Sequence, residues 1–295
     1  MPAIHSKNPR FPLTLAVALV FLPASDILAD TSKVPDIAIG ATQYEEGRNC
    51  FAGNGQAKDL NKARGCFEIA AGAGHSEAKG ALGYMLLKGL GGPKDEAAAH
   101  GLLQDAANAG ITSAQVNLGG MHEKGSGVPR DLTKAVSLYE MAAKSGSMDA
   151  QLRLMDIHYF GADGIAADHA RALPHVKAAA VAGNARARNI LGTMCEFGQG
   201  MEPSKSAAIH WFREAAIQGD AKAQGNLGRL ILAAKMKDRE IVEAYRWLKL
   251  AASQGDEVSK RLLSEHVRQM SPHQIARGEH EVDAFKKPTS DKPVR

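Results

Sequence analysis

The stretch AANAG, residues 106–110, returns along the chain at almost constant distance. It reads AAGAG at 70–74, AAKSG at 142–146, AAVAG at 179–183, AAIQG at 215–219 and AASQG at 251–255. The closing glycines, Gly74, Gly110, Gly146, Gly183, Gly219 and Gly255, are 36, 36, 37, 36 and 36 residues apart. A period of that length belongs to stacked repeats, each a small unit that buries its apolar face only against its neighbours. The quantity to count in this chain is therefore repeats rather than globular cores.

Working outward from the phrase, each unit holds two segments of helical period. In the third, Ala114, Leu118, Met121 and His122 recur at three- and four-residue spacing, as do Ala135, Leu138, Tyr139, Ala142 and Ala143. The first segment carries Leu-Gly at a fixed place: Leu82-Gly83, Leu118-Gly119, Leu191-Gly192 and Leu227-Gly228. A glycine inside a helix costs roughly 1 kcal/mol against alanine, so close helix packing must offset it. The alanines sixteen residues on (Ala99, Ala135, Ala208, Ala244) are the expected facing positions. The fourth unit has Met155 at the glycine place, opposite Ala172, and Pro174 early in its second helix, which predicts the most distorted repeat.

Glycine pairs (Gly53/Gly55, Gly89/Gly91, Gly125/Gly127, Gly198/Gly200) follow the first helices and end them through left-handed backbone. In the fourth unit the pair is Gly161/Gly164, one residue wider, which locates the 37-residue step. The sixth unit has no such pair; LILAAKMKDREI (230–241) predicts a longer or irregular first helix and a different turn. After Gly255 a further first-helix pattern carries Leu263, and Ser271-Pro272-His273-Gln274 forms a capping box that opens a last helix to about residue 285. The polar residues Arg277, Glu279 and Glu281 suit the outer face of a terminal cap.

The chain's 44% hydrophobic and only 5% aromatic residues, with 30 glycines, suit small-residue helix packing and an all-α class. A net charge of +4 without long basic runs excludes the electrostatic stripe that nucleic acid binding needs. Residues 1–29 read as a secretory signal: His5, Lys7 and Arg10 precede the apolar FPLTLAVALVFL (11–22), and Ala29 is the cleavage position. That apolar run is shorter than the roughly 20 residues of a spanning helix, so no stable membrane insertion is expected after cleavage. A periplasmic or secreted location follows, in an oxidising compartment. DTSKVPD (30–36) reads as a linker ending in a helix cap at Asp36, and residues 287–295 as a disordered tail.

The residues AVSLYEMAAKSG (135–146), AAIHWFREAAIQG (207–219) and EAYRWLKLAASQG (243–255), with the Leu-Gly positions, resemble the Sel1-like repeats, relatives of the tetratricopeptide repeats. The likeness covers residues 37–255 in six units, 37–74, 75–110, 111–146, 147–183, 184–219 and 220–255, followed by capping helices over 256–286. In the first unit Glu46-Gly47 replaces Leu-Gly, and the family's first-helix tyrosine is replaced by Cys50, Leu86, His122, His158, Cys195 and Ile231. The resulting expectation is a right-handed α/α superhelical solenoid of six helix pairs with a C-terminal cap.

The resemblance also assigns candidate residues. Cys66 takes the aromatic packing place of its second helix, and Cys50 and Cys66 are a disulfide candidate, the other reading being two buried thiols. His122, His158 and Cys195 share one repeat position but lack any C-x-x-C or H-x-x-x-H element, so packing is preferred to metal ligation and neither metal nor cofactor is assigned. Ser76 and Lys79 form an S-x-x-K without its companion motifs, and no other catalytic motif is present, so the chain is read as a non-enzyme. In tetratricopeptide arrays the first helices line the concave surface. By that likeness Tyr84, Glu123, Asp156, Tyr159, Glu196 and Arg229 face a partner, joined by Lys88, Lys124, Phe160, Phe197 and Arg186. The aromatics are the anchors of choice, unless Phe160 and Phe197 pack under the adjacent turn. The mixed charge fits a protein or peptide better than a phosphate-rich ligand. The functional expectation is an exported scaffold, the alternative an envelope enzyme or binder acting on cell-wall fragments. Neither spacing nor charge selects a particular partner or an oligomeric state.

Overall fold

A computed structural model of the chain describes residues 36–286, apart from Gln56 and residues 235–237. The predicted export segment, residues 30–35 of the linker and the tail 287–295 lie outside the described residues. Fourteen α-helices are present among the described residues. The first pair is α1 (Asp36–Ala52) and α2 (Leu60–Gly72), the second α3 (Ser76–Lys88) and α4 (Glu96–Asn108), the third α5 (Thr112–Lys124) and α6 (Leu132–Lys144). The fourth is α7 (Met148–Phe160) and α8 (His169–Val181), the fifth α9 (Ala185–Phe197) and α10 (Lys205–Ile217), and the sixth α11 (Ala221–Ala233) and α12 (Asp238–Ser253). They are followed by α13 (Glu257–Val267) and α14 (Pro272–Lys286). From α1 to α13 each helix packs on its neighbours in sequence, and α14 returns to α12, the all-α solenoid that the repeat period predicts.

Local chemistry sets the helix ends. Asp59, Asp95, Asp131 and Asp168 precede the second helices in extended backbone, and each side chain accepts the N–H three residues on. Ser204 does the same for α10. The recurring Ala-Ala phrase closes each second helix: both alanines are buried, except that Ala252 is half-buried, the following glycine takes positive φ, and the next N–H returns to the first alanine's carbonyl, as from Ile111 to Ala106 at 3.0 Å. The phrase is thus a helix stop and a packing surface at once.

The Leu-Gly glycine receives a large side chain from the second helix of its own pair. A Cβ at Gly47, Gly83, Gly119, Gly192 or Gly228 would stand 2.6–2.7 Å from Phe67, Leu103, Tyr139, Phe212 or Leu248, respectively. This corrects the expected facing residue by one helical turn. The inserted side chain lies twenty residues after the glycine, and the alanine at sixteen contributes its backbone, with the Ala99 and Ala244 carbonyls 3.3 Å from the positions of such Cβ atoms. The reason is direction: side chains on a helix lean toward its N-terminus, so a given spot is covered by a residue further along the chain. In the fourth pair Met155 and Val176, both fully buried, replace the glycine and the large residue. Both helices of that pair keep thirteen residues despite Pro174, and the departure is concentrated in the turn, where Ala162 and Ile165 form an isolated antiparallel bridge.

Two other expectations are corrected. In the sixth pair α11 has the ordinary thirteen residues; it is α12 that is long, at sixteen, and Ala234 leaves the helix in extended backbone instead of a left-handed glycine turn. The capping box is present, with Ser271 N–H donating to Gln274 Oε1 at 2.8 Å. Helix α14 docks on α12, however, and two of its acidic residues face inward. Glu279 accepts from Tyr245 Oη at 2.5 Å and Lys249 Nζ at 2.8 Å, and Glu281 lies 3.3 Å from Arg246. Val282 and Phe285 extend the core, Phe285 meeting Trp247 edge-on at 5.5 Å. These contacts cover the face of α12 that α14 meets.

Candidate functional site

Within the array, equivalent helices of successive pairs approach one another on the first-helix side, α1 with α3, α3 with α5 and α11 with α13, the docked cap helix α14 on α12 being the exception. The array therefore curves toward that face. Two hollows lie on it. One of about 680 Å³ is lined by Tyr44, Gly80, Ala81, Tyr84, Val116, Asn117 and Asp149, and one of about 470 Å³ by Lys88, Glu123, Lys124 and Arg153 together with Val116 and Asn117, which the two share. Small residues on α3 and α5 make the floor.

Glycines on α5 also open a path through the wall. Tyr139, on the outer helix α6, passes Gly119 and Gly120, and its hydroxyl donates to Glu123 at 2.6 Å. Burial, reinforced by Glu123, raises the Tyr139 pKa above that of ordinary tyrosine, so the hydroxyl stays a donor. Glu123 also lies 4.0 Å from Arg153 on α7. The same device repeats down the array: Asp156 on α7 binds Arg186 on α9 at 2.8 Å, and Glu196 on α9 binds Arg229 on α11 at 2.7 Å. The mixed charge expected to meet a partner is thus largely engaged between repeats, each pair worth roughly 0–1 kcal/mol. The basic members occupy no constant repeat position, so no sequence rule identified Arg153 or paired the others.

The remaining candidates are placed as follows. Tyr84 is half-buried in the first hollow, and Lys88 and Lys124 are exposed at the second. Tyr159 is half-buried, its hydroxyl donating to Gln199 at 3.1 Å and its ring meeting Phe160 at 4.8 Å. Phe160 and Phe197 are 59% and 64% exposed, so neither packs under a turn. Arg186 also lies 5.5 Å from the Phe160 ring centre.

The groups weighed for metal or redox chemistry do not converge. His122 meets His100 at 5.8 Å, His158 meets His175 at 6.0 Å, and Cys195 Sγ lies 3.8 Å from Met201 Sδ. Burial lowers the pKa of His122, His158 and His175, with Lys134 and His100 adding for His122, Arg171 for His158 and His158 for His175. Among the described residues no cluster of three or more metal-ligating side chains forms. No disulfide joins Cys50 and Cys66; both are buried between α1 and α2, and burial, with Glu46 and Cys50 beside it, raises the Cys66 pKa. Among the described residues no helix is long and apolar enough to cross a membrane.

Curvature, paired helices and an open inner face define the class: a helical repeat protein of the tetratricopeptide-like kind. The Sel1 repeat profile matches residues 42–75, 76–111, 112–147, 185–220 and 221–256, more than half of the chain, which therefore belongs to the Sel1 repeat family. The unmatched interval contains the fourth pair, with Met155 and Pro174. Among solved structures, a Sel1 repeat protein from Oxalobacter formigenes is 29% identical over 75% of this chain and 91% of its own, with a TM-score of 0.59. A protective antigen present in uropathogenic Escherichia coli strains, displaying an SLR fold, is 20% identical with a TM-score of 0.57, and that likeness is one of fold alone. The match covers 87% of this chain but 66% of the antigen, just under two thirds of its length. No curated protein matches the chain.

Proposed function

We propose that the protein is an exported scaffold that holds a protein or peptide partner along the face of its first helices. The observation that carries this reading is the pair of exposed phenylalanines, Phe160 and Phe197, standing beside an open, curved surface into which no segment of the described chain folds. Large aromatic side chains left in water on a rigid frame are the groups that dominate interface energies. Export rests on the basic and apolar pattern of residues 1–29.

Crosslinking in the native envelope, followed by affinity capture, tests the scaffold reading. A defined protein partner held by the wild type, and lost when Phe160 and Phe197 are replaced by alanine without change in helix content, is the expected result. Recovery of no protein while wall fragments are turned over would replace the scaffold by the enzymatic alternative. Fractionation of cells making the full chain or a chain lacking residues 1–29 tests export: equal distribution of the two removes it.

A further inference from the structure

Lys88, Lys124, Phe160 and Phe197 are the last residues of α3, α5, α7 and α9. They occupy one place in four consecutive repeats and so form a row along one rim of the first-helix face, with steps of about 10 Å, the distance between packed helices. Both lysines are exposed and neither makes an ion pair with a described residue, whereas nearby Lys94 and Arg130 bind Glu96 and Asp163 at 2.5 and 2.6 Å. The carboxylates closest in sequence are engaged elsewhere: Glu123 by Tyr139, Asp156 by Arg186 and Glu196 by Arg229. In the aromatic half, Phe160 rests against Tyr159 and Arg186. At either end the row stops in a small side chain, with Ala52 closing α1 and Ala233 closing α11.

Resting on the reading that this face is a binding surface, we infer that the rim docks an extended segment of a partner protein bearing two carboxylates followed by two large apolar side chains, one group per repeat. An extended chain advances about 3.3 Å per residue, so a step of about 10 Å places the four groups at three-residue intervals. The segment is about ten residues long. Its acidic half meets two lysines free of competing anions; its apolar half covers two rings that otherwise remain in water.

The probe is a fluorescein-labelled decapeptide with glutamate at positions 1 and 4, phenylalanine at 7 and 10, and glycine or serine between, made in both chain directions. A peptide of the same composition with glutamate and phenylalanine alternating is the control. Fluorescence anisotropy should show at least tenfold tighter binding of one ordered peptide than of the control. Lys88→Glu/Lys124→Glu should weaken it about tenfold and flatten its salt dependence, while Phe160→Ala/Phe197→Ala should weaken it as much and leave the salt dependence unchanged. All four side chains are exposed, and far-UV circular dichroism checks that the variants fold. Equal affinity for ordered and control peptides, including no binding of either, overturns the inference, as do two variants that bind like the wild type. The scaffold reading is judged separately: an envelope partner lost with Phe160→Ala/Phe197→Ala but retained by Lys88→Glu/Lys124→Glu leaves the scaffold standing and removes the four-group rim.

Discussion

In the third helix pair Gly119 receives the ring of Tyr139; in the fourth, Met155 fills the glycine's place and Val176, eight residues beyond the cap Asp168 just as Tyr139 is beyond Asp131, fills the ring's. All three side chains are buried. The large group has changed sides of the interface while the interface stays full. Only the third arrangement sends a hydroxyl through to the inner face, where Tyr139 fixes Glu123. The two turns differ in the same spirit. Gly125 is left-handed, with φ 73° and ψ 33°, whereas Gly161 has φ 76° and ψ 168° and leads into the Ala162–Ile165 bridge. The extra residue is absorbed there, since the next cap still closes on its helix, Asp168 N–H reaching the His158 carbonyl at 2.7 Å as Asp131 N–H reaches that of His122 at 2.9 Å. A repeat tolerates a changed length or a changed knob if the inter-helix volume and the cap bond are kept.

The largest effect comes from emptying the fourth interface. Met155→Gly should cost about 4 kcal/mol, from the cavity and from glycine's poor helix propensity, measured by urea unfolding. Adding Val176→Tyr should recover much of that loss; a double variant no more stable than the single one would break the comparison. Overfilling the third interface comes next. Gly119→Ala places a Cβ 2.7 Å from the Tyr139 ring and should cost about 2 kcal/mol despite the better helix former, whereas a gain in the unfolding midpoint would mean that the ring yields freely. Tyr139→Phe keeps the knob and removes its bond to Glu123, so a loss of about 1.5 kcal/mol is expected, and an unchanged midpoint would show that bond to be idle.

The smallest effect is the response to mild acid, in which the two pairs should agree. His122 and His158 have pKa values lowered mainly by burial, so folding favours the neutral rings. Their contribution is complete above the unfolded value of about 6.5 and is lost as pH falls through the lower folded values. Histidine NMR titration should give folded values below 6.5 for both; a value at or above it for either ring contradicts the assigned environment.

Residues related by a few steps along the chain were legible from the sequence. The period follows from the recurring Ala-Ala phrase, the wide turn from Gly161 and Gly164, and the last helix start from Ser271 and Gln274, because caps and turns are made by neighbours in the chain. The candidate surface was legible in kind, since Lys88, Lys124, Phe160 and Phe197 share one repeat position, and their exposure required coordinates.

What tertiary structure alone decided is the partner of each inward-facing group. That Gly119 meets Tyr139 rather than Ala135, that Asp156 is engaged by Arg186, and that Glu279 turns inward to hold α14 on α12 all depend on how one helix leans across another. A helical period states which face a residue lies on. The angle and offset between two helices, which come from packing every side chain at the contact together, determine what that face touches.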